Sequence, residues 1–178
     1  MTRTLRWLAW LAVPALLVVF APLPYSMSAA DATLCDKAPA AANLNFTLKD
    51  TTGKNFNLAA LKGKVILLDF WATWCAPCKV EIPWFAEFQT KYGPRGLAVV
   101  GVSVDDTLEK LKPFAQQYKM NYPVLLGLGR DDLMGPKAFG TLGVFPTTFV
   151  IGRDGRICKA HAGLSSKEQF ELQIKSLL

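Results

Sequence analysis

Residues 65–83, VILLDFWATWCAPCKVEIP, constrain the fold of this chain more than any other stretch. They begin as an apolar run rich in Val, Ile, Leu and Phe, which is typical of a strand buried on both faces. From residue 79 to residue 92, apolar side chains recur at helical spacing, so the pattern predicts a helix directly after the strand. A buried strand that leads at once into a helix is typical of an α/β fold.

Two cysteines, Cys75 and Cys78, lie where this strand meets this helix. Pro77 suits the first turn of a helix, because the N–H that proline lacks has no partner there. Cys75 is therefore expected at or just before a helix N-terminus, where unpaired N–H groups and the helix dipole favour an anion. A thiolate is such an anion, and it is the form of cysteine that attacks disulfides. The spacing predicts a redox-active pair.

A metal site and a plain structural disulfide are the alternatives, since half of a zinc site has the same Cys-x-x-Cys spacing. Zinc in such a site needs four ligands. The chain has no second Cys-x-x-Cys, and His161 is its only histidine. We therefore expect no metal, and no cofactor besides the redox-active disulfide between Cys75 and Cys78.

Residues 1–30 have the features of a secretory signal peptide: two arginines, an apolar run, and small residues at 28–30. The apolar run is shorter than the roughly 20 residues of a spanning helix, although an uncleaved membrane anchor is the alternative. We interpret residues 31–44 as a leader and residues 45–178 as one domain. This organisation predicts a periplasmic or other extracytoplasmic location, where an even number of cysteines suggests disulfides.

The net charge argues against nucleic acid as a partner. The whole chain carries +6, and residues 1–30 hold two arginines and no acids, so the remainder carries 6 − 2 = +4. That is a mildly basic surface without a dense cluster of lysines and arginines.

The rest of the chain alternates between strand and helix patterns. The predicted elements are a hairpin at 46–58, strands at 97–104, 122–126, 145–151 and 156–162, helices at 107–119 and 165–177, and a weak helix or turn at 131–139. Ser165 is the predicted cap of the last helix. The order predicts an α/β fold in which helices flank a mixed central sheet, with an added N-terminal β-hairpin.

Several short motifs together resemble one family. They are Gly63-Lys64-Val65, DFWATWC at 69–75, Lys79 with Glu81-Ile82-Pro83, VFPTTF at 144–149, and Asp154-Gly155-Arg156. With them, the chain from about residue 45 resembles the exported TlpA/ResA/DsbE-like branch of the thioredoxin-fold thiol–disulfide oxidoreductases. The resemblance implies a thioredoxin fold and an enzyme that cycles Cys75 and Cys78 between dithiol and disulfide.

The resemblance also implies roles for four catalytic residues. Cys75 is the nucleophile, and Cys78 is the resolving thiol that breaks the mixed disulfide. Asp69, in the buried strand, is a proton acceptor for Cys78 with a pKa raised by burial; many exported relatives have an uncharged residue there. Glu81 matches an acid that tunes the thiols, with a solvated acid of the first helical turn as the alternative.

Substrate binding is expected around a proline that faces the disulfide. Pro146 matches the cis-proline of thioredoxin-like proteins, a trans proline opening the strand being the alternative. Phe145 then offers backbone groups to an extended substrate segment, and its bulk is expected to narrow the groove or change partner choice. Trp74, Ala76 and Pro77 complete the predicted surface. Trp74 is expected to shield one side of the cysteine pair, with a place in the core as the alternative.

The other two cysteines are Cys35 and Cys158. TlpA-like proteins can fasten their leader to the domain, so the resemblance implies a structural disulfide between these two. Two buried free thiols are the alternative.

We predict a monomeric reductant of oxidised protein thiols, fed by a membrane electron donor of the DsbD/CcdA type. The substrates that the resemblance implies are cytochrome c apoproteins and copper-site cysteines. An oxidant or isomerase of exported proteins is the alternative with the same chemistry. A Sco-like copper-binding chaperone has the same fold but uses Cys-x-x-x-Cys and a histidine, and a peroxiredoxin would need a different cysteine context.

Overall fold

The structure is a computed structural model that describes residues 40–133, 139 and 143–178. The predicted signal peptide, most of the predicted leader and part of the weak helix predicted at 131–139 lie outside these residues. Within them, no helix is long and apolar enough to cross a membrane.

The described residues form seven strands and three α-helices. The strands are β1 (Thr47–Asp50), β2 (Asn55–Asn57), β3 (Val65–Trp71), β4 (Leu97–Ser103), β5 (Val124–Leu126), β6 (Thr147–Ile151) and β7 (Ile157–Ala162), and the helices are α1 (Cys78–Tyr92), α2 (Leu108–Gln117) and α3 (Lys167–Leu177).

The strands form one mixed sheet in the order β2-β1-β5-β4-β3-β6-β7. Strands β3, β4 and β5 run parallel, while β6 pairs antiparallel with β3, and β7 with β6. The hairpin of β1 and β2 extends the sheet beyond β5, because β1 pairs antiparallel with β5. The predicted α/β fold with a mixed central sheet and an added N-terminal hairpin is therefore confirmed.

Every residue of β3 and β4 is buried, because side chains cover both faces of the sheet. Helices α1 and α3 pack together through Phe85 and Phe170, whose ring centroids lie 5.2 Å apart. Phe70 points away from the face that its neighbours Asp69 and Trp71 occupy, since side chains alternate along a strand. It packs against Phe149, with ring centroids 6.0 Å apart.

The end of the predicted leader is part of the sheet edge. The N–H of Ala42 donates to the carbonyl of Gly155, and the N–H of Ile157 donates to the carbonyl of Ala40. Leu44 is buried in the core. These residues show no periodic pattern in the sequence because the pairing covers only a few residues.

Several element boundaries differ from the prediction by one or two residues, and two of these differences lie near the cysteine pair's helix or the proline loop. Strand β6 begins at Thr147, two residues later than predicted, after a cis peptide bond between Phe145 and Pro146. Helix α3 is capped by Ser166 and not by Ser165: the Ser166 hydroxyl accepts a hydrogen bond from the N–H of Gln169 at 3.2 Å. The N–H of Ser165 donates instead to the carboxylate of Glu81.

Candidate redox site

Cys75 and Cys78 form a disulfide at the start of α1, with their Cα atoms 5.3 Å apart. Cys78 is the first residue of α1, and Pro77 directly precedes it. The N–H of Cys78 donates to the Sγ of Cys75 at 3.2 Å. Cys78 is fully buried, whereas Cys75 is 3% exposed. The sulfur of Cys75 is therefore the one that an N–H at the helix start stabilises as an anion, as its predicted role as nucleophile requires.

An aspartate from the end of β4 holds the loop that leads into Cys75. The buried carboxylate of Asp106 accepts hydrogen bonds from the N–H and the hydroxyl of Thr73, at 2.8 and 2.5 Å, and from the hydroxyl of Ser103 at 2.6 Å. This contact was missed at the level of sequence. Its only signal was a pair of acids directly after β4, whose carboxyl end lies beside that of β3 in a parallel pair.

Trp74 lies on the surface and not in the core. Its side chain is 63% exposed, and its Nε1–H donates to the Oδ2 of Asp105 at 2.7 Å. Its ring packs edge-on against the ring of Phe145, with centroids 6.3 Å apart. The alternative of a core position is therefore wrong. Ala76 is also exposed and Pro77 is partly exposed, so all three are accessible to a partner.

The peptide bond between Phe145 and Pro146 is cis, as the resemblance implied. Pro146 is buried, and its carbonyl accepts a hydrogen bond from the N–H of Gly163 at 2.8 Å. Phe145 is partly exposed next to Trp74. The two predicted substrate-binding segments thus lie side by side at the carboxyl end of β3.

Asp69 is buried in β3, and its Oδ1 accepts a hydrogen bond from the hydroxyl of Thr148 at 3.0 Å. Burial raises the pKa of this carboxyl well above its ordinary value, the neighbouring charge of Glu81 raises the pKa further, and the hydrogen bond from Thr148 opposes both. A buried carboxyl of this kind takes up a proton readily, as the predicted acceptor must.

Glu81 lies one helical turn after Cys78, and therefore on the same face of α1. It is fully buried, so the alternative of a solvated surface acid is wrong. Its Oε1 accepts a hydrogen bond from the N–H of Ser165 at 2.8 Å, while its Oε2 has no partner within the described part of the chain. Burial raises the pKa of Glu81 to about 7, and the bond from Ser165 opposes that rise.

Two aromatic residues near this acid pair were not singled out in the sequence. The Nε1 of Trp71 and the hydroxyl of Tyr122 are buried without a hydrogen-bond partner among the described residues. Both side chains approach Gly101, the residue that pairs with Asp69 in the sheet. Burial, and then the charge of Asp69, raise the pKa of Tyr122. In the sequence, aromatic residues in and beside buried strands look like ordinary core residues, so nothing in the pattern indicates that their polar atoms lack partners.

Cys158 is buried in β7, and Cys35 lies outside the described residues, so a disulfide between them remains a prediction. The parts of the chain that the structure describes contain no cluster of three His, Cys, Asp or Glu side chains suited to a metal ion. This geometry is suited to thiol–disulfide exchange, because it combines a nearly buried sulfur pair at a helix start with exposed residues next to it and two buried acids on β3 and α1.

Known proteins with similar sequences are named thiol-disulfide oxidoreductases. A thiol-disulfide oxidoreductase ResA from Bacillus thuringiensis is 37% identical over 135 residues, which cover 75% of this chain and 75% of the relative. The ResA of Bacillus subtilis is 38% identical over 126 residues, covering 71% and 68% of the two chains.

A solved structure of a thiol:disulfide interchange protein has the same fold. The crystal structure of a thiol:disulfide interchange protein of the thioredoxin family from Chlorobium tepidum superposes with a TM-score of 0.71 at 31% identity, covering 80% of this chain and 98% of that protein. A model of the AhpC/TSA family matches residues 36–160. The resemblance to ResA-like proteins is thereby confirmed, and the chain belongs to the AhpC/TSA family as a thiol–disulfide oxidoreductase with a thioredoxin-like fold.

Proposed function

We propose that this oxidoreductase works as a reductant of disulfides in exported proteins. In the proposed reaction, the Cys75 thiolate attacks one sulfur of a substrate disulfide, and the other substrate sulfur leaves as a thiolate. The Cys78 thiol then loses its proton to a buried carboxylate, and its sulfur attacks the Sγ of Cys75. The bond between Cys75 and the substrate breaks, the second substrate sulfur leaves as a thiolate, and the two substrate thiolates take up one proton from the carboxylic acid and one from solvent. Two electrons pass to the substrate, which leaves as a dithiol, and the protein keeps the Cys75–Cys78 disulfide.

The observation that carries this proposal is that Asp69, Glu81 and Cys78 are all buried, with Glu81 one helical turn after Cys78 and close enough to Asp69 for its charge to raise the pKa of that carboxyl. A raised pKa makes each carboxyl a stronger proton acceptor once it is ionised. A buried carboxylate also disfavours a second negative charge, so Cys78 is expected to stay a thiol until it reacts.

The direction of electron flow follows from the stability of the reduced form. DsbA is a strong oxidant because its reduced form is stabilised, and its nucleophilic thiol has a pKa near 3.5. Among the residues that the structure describes, the N–H of Cys78 is the donor that reaches the Cys75 sulfur, while the buried carboxyls of Asp69 and Glu81 disfavour further negative charge around them. The reduced pair is therefore expected to give up its electrons readily, which favours the reductant over the oxidant or isomerase.

The partners belong to the proposal as well. We propose oxidised cysteine pairs of cytochrome c apoproteins or copper sites as substrates, and a membrane donor of the DsbD/CcdA type as the source of electrons. The protein would act as a monomer outside the cytoplasm, with the disulfide as its only redox group. Two similar sequences named ResA support the redox chemistry of this proposal.

One experiment tests whether electrons flow from the protein to its substrate. The reduced protein is mixed, without oxygen, with an oxidised peptide that contains a Cys-x-x-Cys-His haem-attachment segment, and free peptide thiols are counted by mass spectrometry. The proposal predicts that peptide thiols appear at one equivalent of dithiol per protein. If instead the oxidised protein converts the reduced peptide to its disulfide and the reverse reaction fails, the protein is an oxidant. Copper binding by the reduced protein, with no exchange in either direction, would favour the Sco-like chaperone.

A further inference from the structure

We propose that a basic pole of the domain docks on anionic phospholipid headgroups and turns Cys75 away from the membrane. The basic pole consists of Lys62, Lys64, Arg95 and Arg153, at the end of the sheet opposite the cysteine pair. The inference goes beyond the proposed function, because no residue of the basic pole takes part in thiol–disulfide exchange.

The fold gathers these four side chains from three separate segments. The guanidinium of Arg153 donates to the carbonyl of Gly63 at 3.2 Å and to the carbonyl of Arg95 at 3.1 Å. It thereby joins the loop before β3, the loop before β4 and the turn after β6. All four basic residues are exposed. The sequence shows no dense basic cluster because these residues are far apart along the chain.

The positive charge of the basic pole is not neutralised by acidic side chains. Within the part of the chain that the structure describes, none of its four residues forms an ion pair with an aspartate or a glutamate. The adjacent acid, Asp154, lies 4.0 Å from Arg156, a fifth cation. Counted by side chains, the basic pole carries +4. Residues 31–178 together carry 18 − 14 = +4, so their other side chains sum to zero.

A groove of about 280 Å³ opens between the basic pole and the first described residues. Lys62, Lys64 and Arg153 line this groove, and Ala41 and Ala42 line its other side. Lysine and arginine are the side chains that bind phosphate oxygens most strongly in proteins. The groove therefore offers three cations to the phosphate of a lipid headgroup.

The chain itself brings the basic pole to a membrane. The N–H of Ala42 donates to the carbonyl of Gly155 at 2.9 Å, so the leader enters the domain beside Arg153. The predicted signal peptide or anchor ends ten residues before Ala40, and ten residues span at most about 35 Å when extended. While the apolar run lies in a bilayer, the basic pole is confined near the headgroups, where a weak electrostatic attraction is sufficient. An acidic protein partner has no such covalent link to the domain.

Docking through the basic pole determines where the cysteine pair faces. Strand β3 begins directly after Lys64 and ends at Trp71, four residues before Cys75. A strand of this length spans about 20 Å. With the basic pole on the headgroups, Cys75 therefore lies at the far end of the domain, where it can meet polypeptides in solution.

The test measures how the full chain partitions onto vesicles of phosphatidylcholine alone and onto vesicles that also contain phosphatidylglycerol. The ratio of the two partition coefficients reports the preference for anionic lipid, because the apolar run contributes to both. Lys62→Gln combined with Lys64→Gln should lower this ratio by about 10- to 30-fold, since each cation near an anionic surface contributes about fivefold. High salt should lower the ratio for the unmodified chain as well, because it screens the attraction.

A second double variant controls for net charge. Lys110→Gln combined with Lys112→Gln removes the same charge from an exposed face of α2 and should keep most of the ratio. Equal unfolding curves in urea show that both double variants are folded. Equal ratios for the two double variants, or no preference of the unmodified chain for anionic vesicles, would overturn the inference. Binding of a polyglutamate peptide that depends on Lys62 and Lys64, with an unchanged vesicle ratio, would identify an acidic protein as the partner and overturn it too.

Discussion

Asp69 and Glu81 lie buried on adjacent elements, β3 and α1, and the charge of Glu81 adds to the effect of burial in raising the pKa of Asp69. While Glu81 is ionised, Asp69 therefore holds its proton more firmly. The ionised carboxylate of the two can accept a proton while the other keeps its own.

The first prediction concerns the pH dependence of the exchange. Because burial raises the pKa of Glu81 to about 7, the rate of protein disulfide reduction should rise with pH through that value as the carboxylate forms. Glu81→Gln should remove this rise and slow the reaction above pH 7 by about 10²-fold. The pH profile of single-turnover reduction checks it. Glu87→Gln, an exposed change on the same helix, is the control and should keep the profile of the unmodified protein.

The same raised pKa predicts how stability depends on pH. Between the ordinary pKa of 4.5 and about 7, the unfolded chain ionises Glu81 while the folded protein keeps it protonated. The free energy of unfolding should therefore fall as pH rises through this window. Glu81→Gln should flatten that part of the curve, by on the order of 2–3 kcal/mol between pH 5 and pH 8. Urea unfolding at both pH values measures it, and equal slopes for the two proteins would contradict the assignment.

Two substitutions should move the pKa of Asp69 in opposite directions. Glu81→Gln removes a neighbouring charge and should lower it, while Thr148→Val removes the hydrogen bond that favours the carboxylate and should raise it. Carbon-13 NMR of the Asp69 carboxyl resolves both shifts. Shifts of the same sign would show that the substitutions act by disturbing the fold and not through the named contacts.

The roles of the two cysteines can be separated by trapping. Cys78→Ser should leave the mixed disulfide between Cys75 and the substrate intact, so that a covalent complex accumulates on non-reducing gels. Cys75→Ser should give no such complex with the buried Cys78. A complex formed through Cys78 in its place would reverse the assignment of nucleophile and resolving thiol.

Replacing Asp106 should lower the free energy of unfolding more than replacing the adjacent Asp105 does. In Asp106→Ala, the N–H and hydroxyl of Thr73 and the hydroxyl of Ser103 lose their buried acceptor. We expect the free energy of unfolding to fall by about 2–4 kcal/mol. Asp105→Ala removes only an exposed acceptor and should cost less than about 1 kcal/mol. Urea denaturation of the two variants gives the comparison, and equal losses would contradict a special role for the buried carboxylate.

Local patterns in the sequence were sufficient for the central parts of the fold and the site. The buried strand, the cysteine pair at the helix start and the N-terminal hairpin each depend on a few consecutive residues. The cis-proline and the two acids were placed by their match to a family motif, and the structure puts both acids in the interior.

The contacts that the sequence did not predict join distant parts of the chain. Asp105 and Asp106 meet Trp74 and Thr73 across about 30 residues because β3 and β4 are parallel neighbours. Glu81 meets the N–H of Ser165 across 84 residues. Such pairs depend on strand register and on helix packing, neither of which appears in a local pattern, so the sequence predicts Ser165 as a helix cap and gives no sign of its contact with Glu81.

The central claim is that the buried acids make the Cys75–Cys78 pair a reductant, and its equilibrium reduction potential tests this most directly. The purified protein is equilibrated against a series of glutathione or dithiothreitol buffers, and the disulfide fraction is measured. The account predicts a potential close to that of thioredoxin, about −270 mV. A potential close to that of DsbA, about −120 mV, would contradict it and identify the protein as an oxidant.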